Sequence, residues 1–415
     1  MNASISSLNG VRKMKNICLA AIGTRGDVMP VLSLAKLLTG QNKVTVICPP
    51  GNRQLVHEQN LHYLEIGDDF SDVVKAGSLP YFREQIELQF ILHHDAYKNA
   101  DLIIGAGLFY SGRTIAESFN KKYYHIFYTP QVLKSKLHAP PGSKNPFGNQ
   151  LTNRLLWFKS IRENDLILKK LIDRQRRKSG LPAIKNVYQY FIDRPNTIIA
   201  ADECLQAIPS EYMDRVKQIN FLYSKDSGSL SLELKAFLSN GSKPISINFG
   251  SAENISADFR NLLKSTIETV LTAGYRAVVI TKIRFDEYGG NGNIIFTDYA
   301  PHQMLFDNSA AVIHHGGIGT VYSALRSGTP QIIVPQMLDQ YYWSEIISNR
   351  MLGISLRCSK DKQYGISLAE SINHLLNSKK HKENIEDMKT WLNRADYRKE
   401  SLSKLSAAIP DIHID

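Results

Sequence analysis

Apolar runs too short to be helices recur along this chain, each closed by glycine or proline and followed by a stretch with helical spacing. That alternation limits the fold more than any other feature. Strands joined by helices pair in parallel, and a parallel sheet is covered by helices on both faces. In the first part, strands are predicted over 17–22, 44–48, 102–104, 124–128 and 198–200. A loop over 23–27 and a helix over 31–38 follow the first strand. Further helices are predicted over 53–60 and 111–119, then a proline-rich loop over 131–150 and a basic helical stretch over 151–179. The pattern restarts with strands over 244–249, 277–281, 294–296, 311–314 and 331–334, and helices over 257–273 and 319–327. Residues 224–243, rich in Ser, Gly and Lys, read as a linker, and 383–407 as a terminal helix. No internal repeat is visible. The expectation is two α/β, Rossmann-like halves: 1–223, the linker 224–243, then 244–382, with a tail 383–415 that could pack on either half and is assigned to the first.

Composition bounds the class. Of 415 residues, 43% are hydrophobic and 21% charged, a globular balance. No uncharged apolar run nears the roughly 20 residues of a membrane-spanning helix. The formal net charge of +11 invites a nucleic-acid or anionic-surface reading, but the excess is local. Residues 1–220 hold 29 basic and 19 acidic side chains, residues 221–415 hold 21 and 20, and residues 151–200 alone hold 11 and 4. Lys169, Lys170, Arg174, Arg176, Arg177 and Lys178 share one predicted helix with Leu166, Ile167, Leu168, Leu171 and Ile172. That segment, 166–178, is either a solvated face or a contact for an anionic membrane, a carrier protein or an acidic acceptor. No aromatic-basic interleaving of a nucleic-acid module is present, so nucleic acid is not an expected partner. Cys18, Cys48, Cys204 and Cys358 lack zinc-type spacing and read as reduced thiols of a cytoplasmic protein, possible periphery at a membrane aside. The basic start before 17–22 imitates a signal peptide, but the apolar run is short and Arg25 and Asp27 follow at once. A first strand behind a leader, with Met14 a candidate start, is the expectation.

The chemistry concentrates in the second half. In Val312-Ile313-His314-His315-Gly316-Gly317-Ile318-Gly319-Thr320 an apolar strand ends in histidines, then glycines, then a helix. Glycines let a phosphate approach the backbone, and a helix start offers free N–H groups and partial positive charge. An imidazole there can donate a hydrogen bond to a leaving diphosphate. The pattern lacks the Gly-Lys-Ser/Thr ending of a P-loop; the alternative is a tight turn with incidental glycines. Just upstream, Asp298-Tyr299-Ala300-Pro301-His302 ends another strand, where a base could stack on Tyr299. Downstream, Asp339-Gln340 sets an acid beside an amide, a pair suited to adjacent sugar hydroxyls. Each is also readable as ordinary loop polarity.

In order along the chain, "INFGS" (247–251), "DYAPHQMLF" (298–306) and "VIHHGGIGTVYSALRSGTPQIIVPQMLDQ" (312–340) resemble the donor-binding signature of family 1, UDP-glycosyltransferase-like enzymes, which have a GT-B fold. "GTRGDVMPVLSLAKLL" (23–38), "FYTPQVLKSKLHAPP" (127–141), "RRKSGLP" (176–182) and "IIAADECLQAIP" (198–209) resemble the glycopeptide-antibiotic and sterol glucosyltransferase branch. The resemblance implies two Rossmann-like domains facing across a cleft, an acceptor half and a nucleotide-sugar half. It implies that His315 contacts the donor diphosphate, that Gly316, Gly317, Gly319 and Thr320 form the helix-start cradle, and that His314 is the second histidine of the branch. By the same resemblance Ser251 touches the donor, Tyr299 and His302 stand near the base, and Asp339 and Gln340 meet sugar hydroxyls. Arg25 and Gly26 are placed with the donor contacts.

Asp27 stands where related enzymes carry a histidine in Gly-His-x-x-Pro, and the resemblance makes it the proposed catalytic base. Independently, inverting transfer needs one group to take the acceptor hydroxyl's proton, and a carboxylate after the first strand would face the cleft. An ordinary Asp, with a pKa of about 3.9, is ionised but weakly basic. Pairing with Arg25 or capping the next helix is the alternative. No paired-carboxylate metal motif stands near the donor block, so no obligatory metal or other cofactor is expected. The function expected is transfer of a sugar from a UDP- or dTDP-linked donor to a natural-product or lipophilic hydroxyl. A sterol or lipid glucosyltransferase at a membrane, a sugar-nucleotide epimerase and a non-catalytic partner protein stay as alternatives. The acceptor pocket is expected from loops 67–95 and 129–150, with Phe70, Leu79, Tyr81, Phe82, Leu88, Phe90 and Phe147 as candidate lining or plain core.

Overall fold

The computed structural model describes residues 14–192, 195–223, 228–250, 259–357 and 363–412. The alternation resolves into two wholly parallel sheets. The first contains β1 (Lys15–Ile22), β2 (Asn42–Cys48), β3 (His62–Glu65), β4 (Leu102–Gly107), β5 (Lys122–Phe127), β6 (Thr197–Ala200) and β7 (Lys217–Ile219), in the order β3-β2-β1-β4-β5-β6-β7. The second contains β8 (Ile245–Asn248), β9 (Ala277–Ile280), β10 (Ile294–Thr297), β11 (Ala311–His314), β12 (Gln331–Ile333) and β13 (Ile354–Ser355), in the order β10-β9-β8-β11-β12-β13. The central strands are buried on both faces, which is why they read as continuous apolar runs. Three short strands were not visible in the sequence. β3, β7 and β13 lie at or near sheet edges, carry polar residues and bury little.

In each sheet the chain builds outward in one direction and then jumps back across its first strand. The reversal falls between β1 and β4 in the first sheet and between β8 and β11 in the second. Crevices at the carboxyl ends of strands open at such reversals. Gly23 and Asp27 follow β1, Gly107 ends β4, Gly250 follows β8 and His315 follows β11. The two crevices therefore hold the two groups singled out in the sequence.

Several boundaries differ from expectation. The first helix is Arg25–Thr39, not 31–38. Pro30 lies inside it, where a proline forfeits only the bond to the Gly26 carbonyl, and Thr24 caps the start. The stretch 224–243 contains a helix, Leu232–Ser239, capped by Ser231; Leu234 packs with Val278, Ile295 and Leu305 of the second half. Residues 224–227 lie outside the described set. The tail forms two helices, Lys379–Leu392 and Tyr397–Ala408. Leu405, Ala408, Ile409 and Ile412 join the core beside Ile198 and Ile219, and Asp411 pairs with Lys122 at 2.5 Å and accepts from Tyr124 at 3.0 Å. Among the described residues no helix is long and apolar enough to cross a membrane.

One buried carboxylate joins the halves. Asp202, fully buried after β6, accepts from Tyr322 Oη at 2.6 Å, from Tyr397 Oη at 2.9 Å and from the Phe221 main-chain N–H at 3.0 Å. Tyr322 Oη in turn accepts the Asp202 N–H at 2.9 Å, and its ring stacks on Phe221 with centroids 4.3 Å apart. Three segments thus converge on one residue. Asp202→Ala leaves two buried hydroxyls without their acceptor and is expected to cost about 3 kcal/mol in urea unfolding, with Asp202→Asn costing less. A loss under about 0.5 kcal/mol for the alanine variant would show that the contact is incidental.

Candidate active site

The first crevice is shaped around Asp27. Thr24 caps the Arg25–Thr39 helix, and Asp27, three residues on, completes a capping box. The Thr24 N–H donates to Asp27 Oδ2 at 2.8 Å and the Thr24 hydroxyl donates to the same oxygen at 3.2 Å. A Cβ on Gly23 would overlap that carboxylate, and one on Gly107 would stand 3.2 Å from Oδ1 while overlapping the Ile22 carbonyl. Oδ2 is therefore held in place and Oδ1 turns toward the reversal point. Tyr128 Oη donates to the Asp27 carbonyl at 3.0 Å. Burial pushes the Asp27 carboxyl up to about 6, against the downward pull of the Thr24 hydrogen bonds. Capping and exposure to the cleft coexist in one residue. Gly26 is exposed, and its N–H is spent on Thr24 Oγ1 at 3.2 Å.

The second crevice is built from β8 and β11. Gly250 adopts φ +57°, and a Cβ there would come within 2.9 Å of His315 Cε1. On the other side, a Cβ on Gly317 would reach His315 Nε2 at 2.6 Å. The ring is thus clasped by two glycines, at the start of the Ile318–Ser327 helix. Its Nδ1 has no hydrogen-bond partner among the described residues. Burial lowers the His315 pKa to about 4, so the ring is neutral at pH 7. The helix cannot satisfy its first amides, those of Ile318 and Gly319, and the space beside the Gly319 Cα is open. Thr320 is buried, and its N–H already donates to the Gly317 carbonyl at 3.0 Å.

His314 has a different task. Its Nδ1 accepts the Gly316 N–H at 3.1 Å, so the proton sits on Nε2, which donates to Gln331 Oε1 at 3.0 Å. Burial, then the neighbouring His315, lowers its pKa to about 3. His314 fixes the glycine turn from below and does not line the cleft. Asn248, at the end of β8, was missed in the sequence. Its Oδ1 accepts the Gly250 N–H at 2.9 Å and its Nδ2 donates to His302 Nε2 at 2.8 Å, while the His302 ring stacks on Phe306. The only signal was a polar residue closing a buried strand. Ser251 lies outside the described residues.

The crevices meet. The Arg25 guanidinium lies 4.9 Å from the centroid of Tyr299, crossing from the first half to the second; Arg25 thus pairs with a ring, not with Asp27. Asp339, at the start of the Gln340–Asn349 helix, has its carboxyl pushed up to about 7 by burial and then by the charge of Asp27. Gln340 departs from expectation. Its Oε1 accepts the Gln336 and Met337 N–H groups at 2.9 and 3.0 Å, so half of the amide holds its own loop.

Gly23 also lines a pocket. It is lined by Phe70, Val73, Phe82, Ile86 and Leu108, with Asp68, Gln85 and Gln89 among them. Phe70 and Phe82 of the seven candidates thus line it. Phe90 is core, Leu79 is exposed, Tyr81 bonds Asp68, Leu88 is not in the lining, and Phe147 stacks on Tyr342 of the second half at 5.1 Å. Gln89 is buried, and its Oε1 has no partner among the described residues.

Residues 17–136 match the model described as glycosyltransferase family 28 N-terminal domain, and 280–395 match erythromycin biosynthesis protein CIII-like, C-terminal domain. The chain is 27% identical to vancomycin aglycone glucosyltransferase of Amycolatopsis orientalis, over 82% of this chain and 85% of that one. It is 26% identical to sterol 3-beta-glucosyltransferase of Komagataella phaffii, over 88% of this chain but 32% of that one. The fold matches the glycotransferase of kitacinnamycin at TM-score 0.73 and 14% identity, over 95% and 98% of the chains. It also matches glycosyltransferase VinC, solved with dTDP, at TM-score 0.63 and 18% identity, over 95% and 99%. The chain has the GT-B fold, and the relatives it resembles over most of its length are glycosyltransferases.

In this glycosyltransferase the second crevice presents one neutral imidazole and two unsatisfied helix amides. His315→Ala is expected to weaken binding of a nucleoside diphosphate about tenfold or more by calorimetry, the scale of one hydrogen bond to a charged group. Unchanged affinity would remove His315 from the cradle.

Proposed function

We propose that the enzyme transfers a sugar, with inversion, from a uridine or thymidine diphosphate donor to a hydroxyl of a lipophilic or natural-product acceptor. The observation that carries this reading is the position of Asp27. Its carboxylate is oriented by Thr24, made more basic by burial, and packed against Gly23, which lines the apolar pocket. The acceptor hydroxyl loses its proton to Asp27 as its oxygen bonds to the anomeric carbon. The bond from that carbon to the diphosphate breaks, and the leaving group takes the electron pair. His315 and the amides of Ile318 and Gly319 receive the negative charge. In this reading Asp339 and the amide nitrogen of Gln340 meet sugar hydroxyls and Tyr299 and His302 meet the base, with Ser251 assigned to the donor by resemblance alone. A sugar-nucleotide epimerase would have no use for the pocket beside Asp27. Backbone amides and a neutral imidazole suffice to hold the diphosphate in this reading, so no obligatory metal is needed.

The test is product mass on a panel of lipophilic alcohols, with donor turnover followed alongside. The wild-type enzyme is expected to add one hexose mass to an acceptor, in EDTA as well as in Mg²⁺. Asp27→Asn is expected to lose at least about 100-fold in kcat with KM for the donor little changed. Wild-type kcat in that variant, an isomerised nucleotide sugar without acceptor product, or activity restored only by a divalent cation would each overturn part of the reading.

A further inference from the structure

The basic segment has a second, less visible property. Residues 150–178 form one continuous helical arm: Gln150–Asn164, a π-helical turn over Asp165–Lys169, and Lys170–Lys178. Its inner side buries Asn153, Trp157, Leu168, Leu171 and Ile172. Its outer side is apolar as well: Leu151 is 68% exposed, Leu155 61%, Phe158 61% and Leu166 76%. At 3.6 residues per turn, positions 151, 155 and 158 fall within an arc of about 60°, with 166 continuing the row into the π-turn. Arg154 and Lys159 border that row on either side. Arg162 lies along it, its guanidinium 5.5 Å from the Phe158 ring centroid.

The charge on this arm is not where the sequence suggested. Lys169 pairs with Asp173 at 2.7 Å, Arg176 is buried against Glu117 at 2.7 Å, and Arg174 pairs with Glu87. Half of the 166–178 cluster is thus committed internally. The outward cations are Arg154, Lys159, Arg162, Lys170, Arg177 and Lys178. Opposite charge on the arm is scarce. Asp165 Oδ1 accepts the Val187 N–H at 2.7 Å and Asp173 Oδ1 accepts the Ile184 N–H at 2.8 Å, which leaves Glu163 as the exposed acid, 3.7 Å from Lys159.

We propose that this arm docks the enzyme on an anionic lipid surface, its leucines and Phe158 entering the headgroup boundary and its cations meeting the headgroups. An apolar ridge bordered by cations on a convex helix suits a plane of acidic headgroups. The arm is also coupled to the pocket. Arg83, on the Leu79–Ile91 helix that supplies Phe82, Gln85 and Gln89, donates to the Leu166 and Ile167 carbonyls at 3.1 and 2.9 Å. Docking would therefore hold the pocket wall in a set orientation to the lipid.

The test is flotation with vesicles of phosphatidylcholine alone and with about 30 mol% phosphatidylglycerol. The wild-type protein is expected to partition at least about tenfold more strongly onto the anionic vesicles, and to be released by salt. The double variants Leu155→Ser/Phe158→Ser and Arg154→Glu/Arg162→Glu are each expected to lose about fivefold or more, with nucleoside diphosphate affinity unchanged as the check on folding. Equal partition onto neutral and anionic vesicles, or doubles that bind like the wild type, would overturn the proposal. So would a concentration-dependent dimer in light scattering that is lost in Leu155→Ser/Phe158→Ser without any vesicle binding, which would assign the ridge to a second copy.

Discussion

The relation between the two sheets depends on Asp202. It is a buried acid on the first half that accepts from Tyr322 of the second half and from Tyr397 of the tail. Tyr322 lies on the Ile318–Ser327 helix, whose first turn is the cradle proposed for the diphosphate. One carboxylate therefore ties the helix beside the second crevice to the sheet that carries Asp27. The tail adds to the same joint: Arg326 lies between the rings of Tyr223 and Tyr397, at 4.7 and 4.6 Å. Such a network is costly to leave half-made and stiff when complete, which suits a cleft whose two walls must cooperate.

Within the cleft the electrostatics are spare. Both histidines are held neutral by burial, and the positive character of the second crevice comes from helix amides. Two acids share the cleft floor, and burial raises both. A carboxylate near 6 is still ionised at pH 7 but is a far better proton acceptor than an exposed one. The net charge of +11 plays no part in this. Its largest single share comes from the arm on the outside of the first half, where residues 150–178 hold nine basic and three acidic side chains.

The parallel architecture and the central strands were legible because buried strands read as short apolar runs between glycines and prolines. Asp27 and His315 were legible for the same reason: each follows such a run at a turn. The ordinary acidity assigned to Asp27 was not right, because burial depends on Gly23 and Gly107, and Gly107 comes from β4. Asp202 was invisible as a hub, since its partners lie 120 and 195 residues away. His314 and His315 are adjacent in sequence yet opposite in role, and only the side chains' directions separate them. Gln340 looked like a sugar contact, but its carbonyl holds a loop whose geometry no local pattern announces. The charge of the basic arm was plain, while the ion pairs that consume Lys169, Arg174 and Arg176 depend on residues from other elements or the next turn.

The central claim is that a desolvated Asp27 accepts the acceptor's proton. The most direct measurement is the pH dependence of kcat/KM for transfer to an identified acceptor between about pH 5 and 8. A carboxyl raised by burial is active when ionised, so activity should hold above neutrality and fall as pH drops through about 6. A profile flat down to about pH 5 would show that no raised carboxyl controls the step, and would contradict the account.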